Sequence, residues 1–404
     1  MNTKKELKKS IVFVVLAVSL LFLAVPMASA SDWGYKKAIE IDHTKVAGDL
    51  TNFPVLISMT DDDLRDDAQD TGNDIMFTDS SLNPLAHEIE YFNGTTGELQ
   101  AWVKVTSLSS ASTTIHMYYG NATCGSQENV ADVWDSHFKM VQHLNETTGM
   151  HYDSTANDND GAPTGVTQDA IGKIDGADDF GGSDDHVDCG NATSLNITGG
   201  ITVEAWVKPD TLAGWSEIIS KRDNNNLTNY DLRFGSSTGS APFTKVQFYW
   251  GHGLVPNQEN WNVYSTDSTY TTGQWYYIVA TREGTDRPKI YVNGAIVEGA
   301  CTYGDCTRDM IANTNDVNIG AGITGGTPDW VFNGTIDEVR ISDTARSADW
   351  INTSYNNQND PSSFTTVGDE QTTDPGIPEF PTMSLPVLIT IAAVFLMYRR
   401  KQRQ

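Results

Sequence analysis

The sequence has little positive charge. In 404 residues, 26 lysines and arginines stand against 53 aspartates and glutamates, which gives a formal net charge of −27 at pH 7. A surface of this sign repels nucleic acid and anionic lipid, because both are negatively charged. We therefore expect no nucleic-acid partner. The acidic surface suits solubility and can also attract divalent cations, and composition leaves both interpretations open.

Cysteine is scarce as well, with four residues in the chain. Cys301 and Cys306 fall within one short loop, which favours a local disulfide in an oxidising exterior. Cys124 with Cys189 would then connect the N-terminal and C-terminal halves of the exported chain. Four cysteines allow three pairings, so the sequence does not fix the connectivity. There is no C-x-x-C pair and the histidines are scattered, so the spacing does not predict a zinc site.

Long apolar runs are confined to the two ends of the chain. Four lysines precede an apolar run at residues 11–25, and Ala28-Ser29-Ala30 follows. This order predicts a secretory signal peptide over residues 1–30. A second apolar run at residues 385–398 precedes a basic end, which positive-inside topology keeps in the cytoplasm. We therefore expect an exported protein at the cell surface, anchored to the cytoplasmic membrane with its bulk outside.

The C-terminal run is 14 residues long, which is short for a lasting membrane span. A retained transmembrane segment and exchange for a lipid both stay open. Pro378-Glu379-Phe380 lies just before this run, and the arrangement resembles the PEF-CTERM sorting signal of archaeal surface proteins. The resemblance implies processing of residues 378–404 by an archaeosortase-type enzyme and a lipid anchor.

Sequons of the form N-x-[S/T] are frequent, and their density in an exported chain predicts a glycoprotein. The eight acceptor positions are Asn93, Asn121, Asn145, Asn191, Asn196, Asn226, Asn333 and Asn352.

Helical periodicity is not sustained between residues 31 and 340. Short runs rich in Val, Ile, Tyr, Trp and Thr alternate with Gly, Asn and Asp turns, a pattern typical of all-β proteins. We predict two β-sandwich domains in tandem, over residues 31–135 and 136–357. A polar linker at 358–377 would lead to the C-terminal hydrophobic segment.

The first of these two blocks carries several short motifs that together resemble domain of unknown function 2341. The family is found before LamG-like domains on surface proteins, and it implies a small β-sandwich without known chemistry. The motifs are Trp33-Gly34-Tyr35, Phe53-Pro54-Val55, Asp74-Ile75-Met76-Phe77, His87-Glu88-Ile89-Glu90 and Met117-Tyr118-Tyr119-Gly120-Asn121.

The second block alternates cleanly at residues 201–209, with the odd positions apolar, and predicts a hairpin at 289–297 around Asn293-Gly294. Its motifs Glu204-Ala205-Trp206-Val207 and Gly334-Thr335-Ile336-Asp337-Glu338-Val339-Arg340-Ile341 resemble the LamG-like jelly roll of the concanavalin A-like lectin/glucanase superfamily. A short helix with Trp350 and Ile351 packed inward is predicted after it, at residues 345–355.

The acidic residues of the second block raise two possibilities. The LamG-like resemblance implies one structural Ca²⁺, with Asp184, Asp185 and Asp337 as ligands, because calcium is bound by oxygen atoms. These acids can equally cap turns. Catalysis is not expected, because Asp337 and Glu338 are adjacent on a strand and would point to opposite faces. The glucanase motif Glu-x-Asp-x-x-Glu is also absent from the sequence.

Aromatic residues near the loops of the second block are the remaining candidates for binding. Sugar rings stack on aromatic faces, so Trp215, Tyr249, Trp261 and Trp330 are predicted ligand contacts, although a Trp in a strand is more often core. The expected function is a non-catalytic surface-displayed binding or adhesion protein that recognises a glycan or a surface protein. The alternatives are a structural envelope glycoprotein without a ligand and a carbohydrate-active enzyme.

Overall fold

The computed structural model describes residues 33–181, 184–222, 228–236, 238–251 and 261–373, without the side chain of Trp261. The predicted signal peptide, the predicted sorting tail and Asn226 lie outside these residues. Within the described part, no helix is long and apolar enough to cross a membrane. The fold class is all-β, as predicted, and two sandwiches account for most of it.

The first sandwich is built from seven strands that follow one another along the chain. They are β1 (Tyr35–Ile41), β2 (Leu50–Thr60), β3 (Met76–Asp79), β4 (Pro84–Leu85), β5 (His87–Asn93), β6 (Glu98–Leu108) and β7 (Thr113–Tyr119). One sheet contains β1-β7-β3-β4 and the other contains β2-β6-β5. Apolar residues at alternate positions, such as Val55, Ala101 and Val103, fill the space between them. Short helices α1 (Asp62–Asp67) and α2 (Val130–Val133) complete this part.

The second sandwich consists of two eight-stranded sheets and a small hairpin. Its strands are β8 (Phe138–Gln142), β9 (Ala162–Thr164), β10 (Thr167–Ile171), β11 (Gly176–Phe180), β12 (His186–Asp188), β13 (Ile201–Pro209), β14 (Ser216–Ser220), β15 (Asp231–Gly235), β16 (Lys245–Gly251), β17 (Trp261–Thr266), β18 (Tyr276–Arg282), β19 (Lys289–Val292), β20 (Ala295–Val297), β21 (Gly299–Tyr303), β22 (Asn318–Ile319), β23 (Gly322–Thr324), β24 (Thr327–Asp329) and β25 (Gly334–Ser342).

The two large sheets have different strand orders. The first runs β10-β11-β25-β13-β18-β19-β20, with β8 beside β25, and the second runs β21-β17-β16-β15-β14-β22-β12-β9. We call the second the β16 sheet. The predicted hairpin at 289–297 is present as β19 and β20, with Asn293 and Gly294 at positive φ in its turn.

The segment predicted as a linker is ordered and returns to the first sandwich. Helix α3 (Ala348–Asn359) is followed by α4 (Pro361–Phe364), β26 (Thr365–Val367) and β27 (Gln371–Thr372). Both of these strands pair with β1, and so extend the first sheet. The linker prediction is therefore wrong for residues 358–373, because hydrogen bonding to a distant strand ordered a segment whose composition is that of a loop.

Helix α3 lies between the two sandwiches. Trp350 packs edge-on against Phe53 of the first sandwich, with ring centroids 4.8 Å apart. Ile351 packs on the other side with Trp206 and Tyr277, on the outer face of the β13–β25 sheet. The two inward-facing residues predicted for this helix are thus buried, each against a different sandwich.

Strand β25 contains a β-bulge at Glu338. Glu204 pairs with Arg340 but Trp206 pairs with Asp337, so two residues of β25 oppose Ala205. Glu338 has a φ of +53°, while the flanking Ile336 and Val339 both face the core. Asp337 and Glu338 therefore lie on the same outer face, and the expectation that they point to opposite faces is wrong.

Candidate functional site

Three of the four predicted aromatic residues come together on the outer face of the β16 sheet. The ring centroids of Trp215 and Trp330 are 5.3 Å apart. The guanidinium carbon of Arg233 lies 4.9 Å from the ring centre of Tyr249 and 5.0 Å from that of Trp330. The fourth, Trp261, belongs to β17, and its side chain lies outside the described part.

Strand alternation explains how these groups reach one face. In β15, Leu232 and Phe234 enter the core, so Asp231 and Arg233 point the other way. Tyr249 occupies the equivalent outward position of β16, opposite Asp231 in the ladder. A single register therefore places a carboxylate, a guanidinium and a phenol side by side.

A buried ionic cluster lies on this face, formed by Glu217, Arg222, Asp231 and Arg233. Arg222 and Arg233 approach Glu217 Oε1 to 3.3 and 3.4 Å, and Arg233 is 3.7 Å from Asp231. Burial raises the pKa of Glu217 well above its usual range, and the negative charge of Asp231 adds to the effect.

The ionic cluster has unused hydrogen-bonding capacity. Among the described residues, Glu217 Oε2, Arg222 Nε and both carboxylate oxygens of Asp231 have no hydrogen-bond partner. Buried polar atoms are normally paired, so unpaired ones at a surface-facing cluster suit a polar ligand or ordered water.

Half-buried aromatic residues form the rim above this cluster. Trp215 packs edge-on against Phe243 at 5.2 Å, and Arg222 lies 3.6 Å over the ring of Trp330. A cation stacked this closely fixes the plane of the indole. We call Trp215, Phe243 and Trp330, with the ionic cluster, the aromatic face.

The charged half of this face was not predicted from the sequence. The alternation of Asp231 and Arg233 with Leu232 and Phe234 has the pattern of a solvated strand surface, yet Asp231 is fully buried. The sequence signal for this cluster was the pair of opposite charges, Asp231 and Arg233, two residues apart on β15. The next strand, β16, is rich in aromatic residues.

The predicted calcium ligands do not converge. Asp337 Oδ2 accepts hydrogen bonds from the backbone N–H groups of Lys173 and Ile174, at 2.7 and 3.0 Å. Asp185 accepts one from the backbone of Gly181, and Asp184 is exposed. Asp337 and Asp185 each bind the backbone of a separate loop, and the three acids do not form a group of ligand atoms within 4.8 Å of one another among the described residues. Calcium binding stays a prediction.

Among the described residues, one set of three His, Cys, Asp or Glu side chains has ligand atoms that all lie within 4.8 Å of one another. It consists of Glu90, His143 and Glu338, none of which was predicted as a metal ligand.

Two of the four cysteines form a disulfide. Cys301 and Cys306 are bonded, with their Cα atoms 5.9 Å apart. Cys124 and Cys189 are free thiols, so a bond between them as a link between the blocks is wrong. The sandwiches are held by β26, β27 and α3 instead.

The predicted glycosylation sites differ in accessibility. Asn191 is exposed, and Asn93, Asn145, Asn196, Asn333 and Asn352 are half-buried. Asn121 is only 5% exposed, and its side-chain oxygen accepts a hydrogen bond from the backbone N–H of Thr123. Asn121 is therefore the least accessible of the described acceptor positions, and its glycosylation stays a prediction.

A separate groove of about 490 Å³ lies where the two sandwiches meet. It is lined by residues 49–52, 135–137, 344–347 and Trp350. Its central cation, Arg346, is already paired with Asp135 through two contacts of 2.7 and 2.8 Å, and it stacks on Trp350. The aromatic face is the stronger candidate, because its polar atoms are not all paired.

Two segments of the chain match known family models. Residues 180–352 match the concanavalin A-like lectin/glucanases superfamily, and residues 71–160 match the domain of unknown function DUF2341. No curated protein matches the chain.

Solved structures resemble about half of the chain. Domain 4 of AbnA, a GH43 extracellular arabinanase from Geobacillus stearothermophilus solved with arabinotriose, has 20% identity and a TM-score of 0.41, over 54% of this chain and 97% of that domain. The binding domains of Paraclostridial Mosquitocidal Protein 1 and botulinum neurotoxin serotype G each have 12% identity and a TM-score of 0.40, over 54% of this chain. The match spans about half of those two domains, 52% and 50%. On the two family matches, the chain carries a DUF2341 domain followed by a LamG-like, concanavalin A-like domain.

Proposed function

We propose that the protein is a non-catalytic binding or adhesion protein of the cell surface, and that the aromatic face recognises an extracellular glycan or surface-protein ligand. The observation that supports this most is the position of half-buried Trp215 and Trp330 above buried, incompletely paired charges. Aromatic planes beside fixed hydrogen-bonding groups are the usual components of a ligand site.

The carboxylate geometry favours binding over glycoside hydrolysis. The two catalytic carboxyls of a glycosidase stand roughly 5–10 Å apart, which leaves room for a water or a sugar carbon between them. Glu217 and Asp231 are instead both fully buried, and each lies within ion-pair distance of Arg233. Asp337 and Glu338 are fully buried where the sandwiches meet, away from any open surface.

Display outside the cell is part of the proposal. It is supported by the predicted signal peptide, the C-terminal hydrophobic run with its basic end, and the density of sequons. The second candidate is a structural envelope glycoprotein without a ligand, and a carbohydrate-active enzyme is the third.

The test is a glycan array followed by titration calorimetry on the purified protein, with and without calcium. Trp330→Ala and Trp215→Ala are each expected to weaken binding at least about tenfold, a typical loss for an aromatic contact residue. Tyr152→Ala is the matched control, since Tyr152 is an aromatic residue that is 65% exposed and outside the aromatic face.

Circular dichroism spectra must match between wild type and variants. Equal losses in Trp330→Ala and Tyr152→Ala would place the binding surface elsewhere. The absence of any ligand at every calcium level would favour the structural candidate, and turnover of a bound polysaccharide would favour the enzyme.

A further inference from the structure

Three side chains from both sandwiches meet in the buried interface between them. Glu90 comes from β5, His143 follows β8, and Glu338 occupies the bulge of β25. His143 Nδ1 lies 2.6 Å from Glu338 Oε1 and 3.5 Å from Glu90 Oε2. The side chains of Glu90 and Glu338 have no exposed surface, and that of His143 has 5%. Three potential ligands are thus held together by the fold and isolated from solvent.

Outer residues orient both carboxylates in the way that ligating carboxylates are oriented. Trp102 Nε1–H donates to Glu90 Oε2 at 2.7 Å, and Arg340 donates to Glu338 Oε2. In each carboxylate one oxygen is held from outside the group. Among the described residues, Glu90 Oε1 has no hydrogen-bond partner, and Glu338 Oε1 faces His143. Such outer contacts are a regular feature of metal sites.

The charge of the surrounding interface is unbalanced. The buried acids are Glu88, Glu90, Glu204, Asp337 and Glu338. The two cations in contact with these acids are His143 and Arg340, while Arg346 and Lys173 act on Glu204 and Asp337 from beyond ion-pair distance. Burying an unpaired negative charge in a protein interior costs on the order of several kcal/mol per ion. The interface must therefore gain protons or a cation.

We propose that Glu90, His143 and Glu338 bind a divalent transition-metal ion that joins the two sandwiches. Zn²⁺ is the expected occupant, because it is bound by imidazole nitrogen and carboxylate oxygen in small, closed sites. Calcium fits less well, since it takes 6–8 oxygen ligands. The ion enters as the chain folds, because the site lies inside the finished interface. This inference is independent of the aromatic face.

The proposal is tested on the full chain. The protein is unfolded in urea with a chelator that removes bound metal, the chelator is then removed, and the chain is refolded with or without Zn²⁺. Metal is then counted by mass spectrometry after gel filtration. We expect one Zn²⁺ per refolded chain, and a higher melting temperature than in chain refolded with Mg²⁺ alone. Co²⁺ in place of Zn²⁺ should give visible absorption bands that report ligation by the protein.

Two matched pairs of variants separate a metal role from a packing role. His143→Gln should lose the ion, whereas His151→Gln should keep it, although His151 is also buried between two carboxylates, Glu146 and Asp178. Trp102→Phe should lower Zn²⁺ affinity about 10–100-fold, the usual effect of losing an outer-shell donor. Trp206→Phe should not, because its indole N–H donates to Gln358.

The outcomes are decisive even if His143→Gln fails to fold. If the wild-type protein refolds fully without divalent metal, and binds no Zn²⁺ when Zn²⁺ is supplied, the proposal is overturned. Glu90, His143 and Glu338 then form a proton-bridged network. Equal metal loss in Trp102→Phe and Trp206→Phe would also overturn it, because the loss would then follow from packing.

Discussion

Asn357 of α3 supplies the missing hydrogen bonds of an edge strand. Its Oδ1 accepts from the backbone N–H of Leu56 at 2.7 Å, and its Nδ2 donates to the carbonyl of Leu56 at 2.9 Å. Leu56 lies on β2, which is at the edge of the β2-β6-β5 sheet. Asn357 is fully buried, so water does not replace its amide in the folded protein. Unpaired edge strands are otherwise sites of aggregation.

Replacing Asn357 with Ala removes both bonds and leaves two backbone groups unsatisfied. Each such group costs about 1–3 kcal/mol. Water that enters the space left by the amide recovers part of this cost, so we expect the free energy of unfolding to fall by about 2–4 kcal/mol. The matched control is Asn356→Ala, since half-buried Asn356 donates to the Lys45 carbonyl and to Asn352. Asn356→Ala should lower the free energy of unfolding by less than about 1 kcal/mol.

Urea unfolding measures the difference, followed by tryptophan fluorescence and by circular dichroism. The two signals must coincide for a single free energy to be defined in a chain with two sandwiches. If Asn357→Ala is no less stable than Asn356→Ala, the edge-capping role is refuted. If Asn357→Ala is as stable as Asn356→Ala but aggregates more, Asn357 protects the edge of β2 against aggregation without stabilising the fold.

Two further predictions concern His151 and the disulfide. Burial acts to lower the pKa of His151, but hydrogen bonds to Asp178 and Glu146 raise it to about 9. Because the folded pKa exceeds the ordinary value near 6.5, this stabilisation is complete below that pH and is lost as pH rises through about 9. His151→Gln should flatten the dependence of melting temperature on pH in this window, and an unchanged profile would contradict the assignment. Replacing Cys301 and Cys306 by Ser should destabilise the chain by about 2 kcal/mol, the value expected for a short loop, as read from urea unfolding. Thiol titration of native wild type should detect half-buried Cys124 before buried Cys189, and two further reactive thiols without reductant would refute the disulfide.

Local pattern predicted the strands well where one face is core. Val203, Ala205 and Val207 alternate into the second core as expected, and Asn293-Gly294 forms its hairpin turn. These features depend on neighbours in sequence, since the side-chain period of a strand is two and an Asn-Gly turn needs positive φ. The same rule failed at Glu338, because a bulge adds a residue to one strand and shifts the alternation of the residues after it.

The sequence by itself determined the all-β class, the order of the two domains and three of the aromatic residues of the candidate site. Tertiary structure decided the rest. The return of residues 358–373 to β1 depends on pairing between residues more than 300 positions apart, for which local composition holds no signal. The clusters around Arg233 and His143 likewise join charges from separate strands. A charged residue in an alternating strand has the same sequence pattern whether its outer face meets water or another sheet, and only packing distinguishes the two.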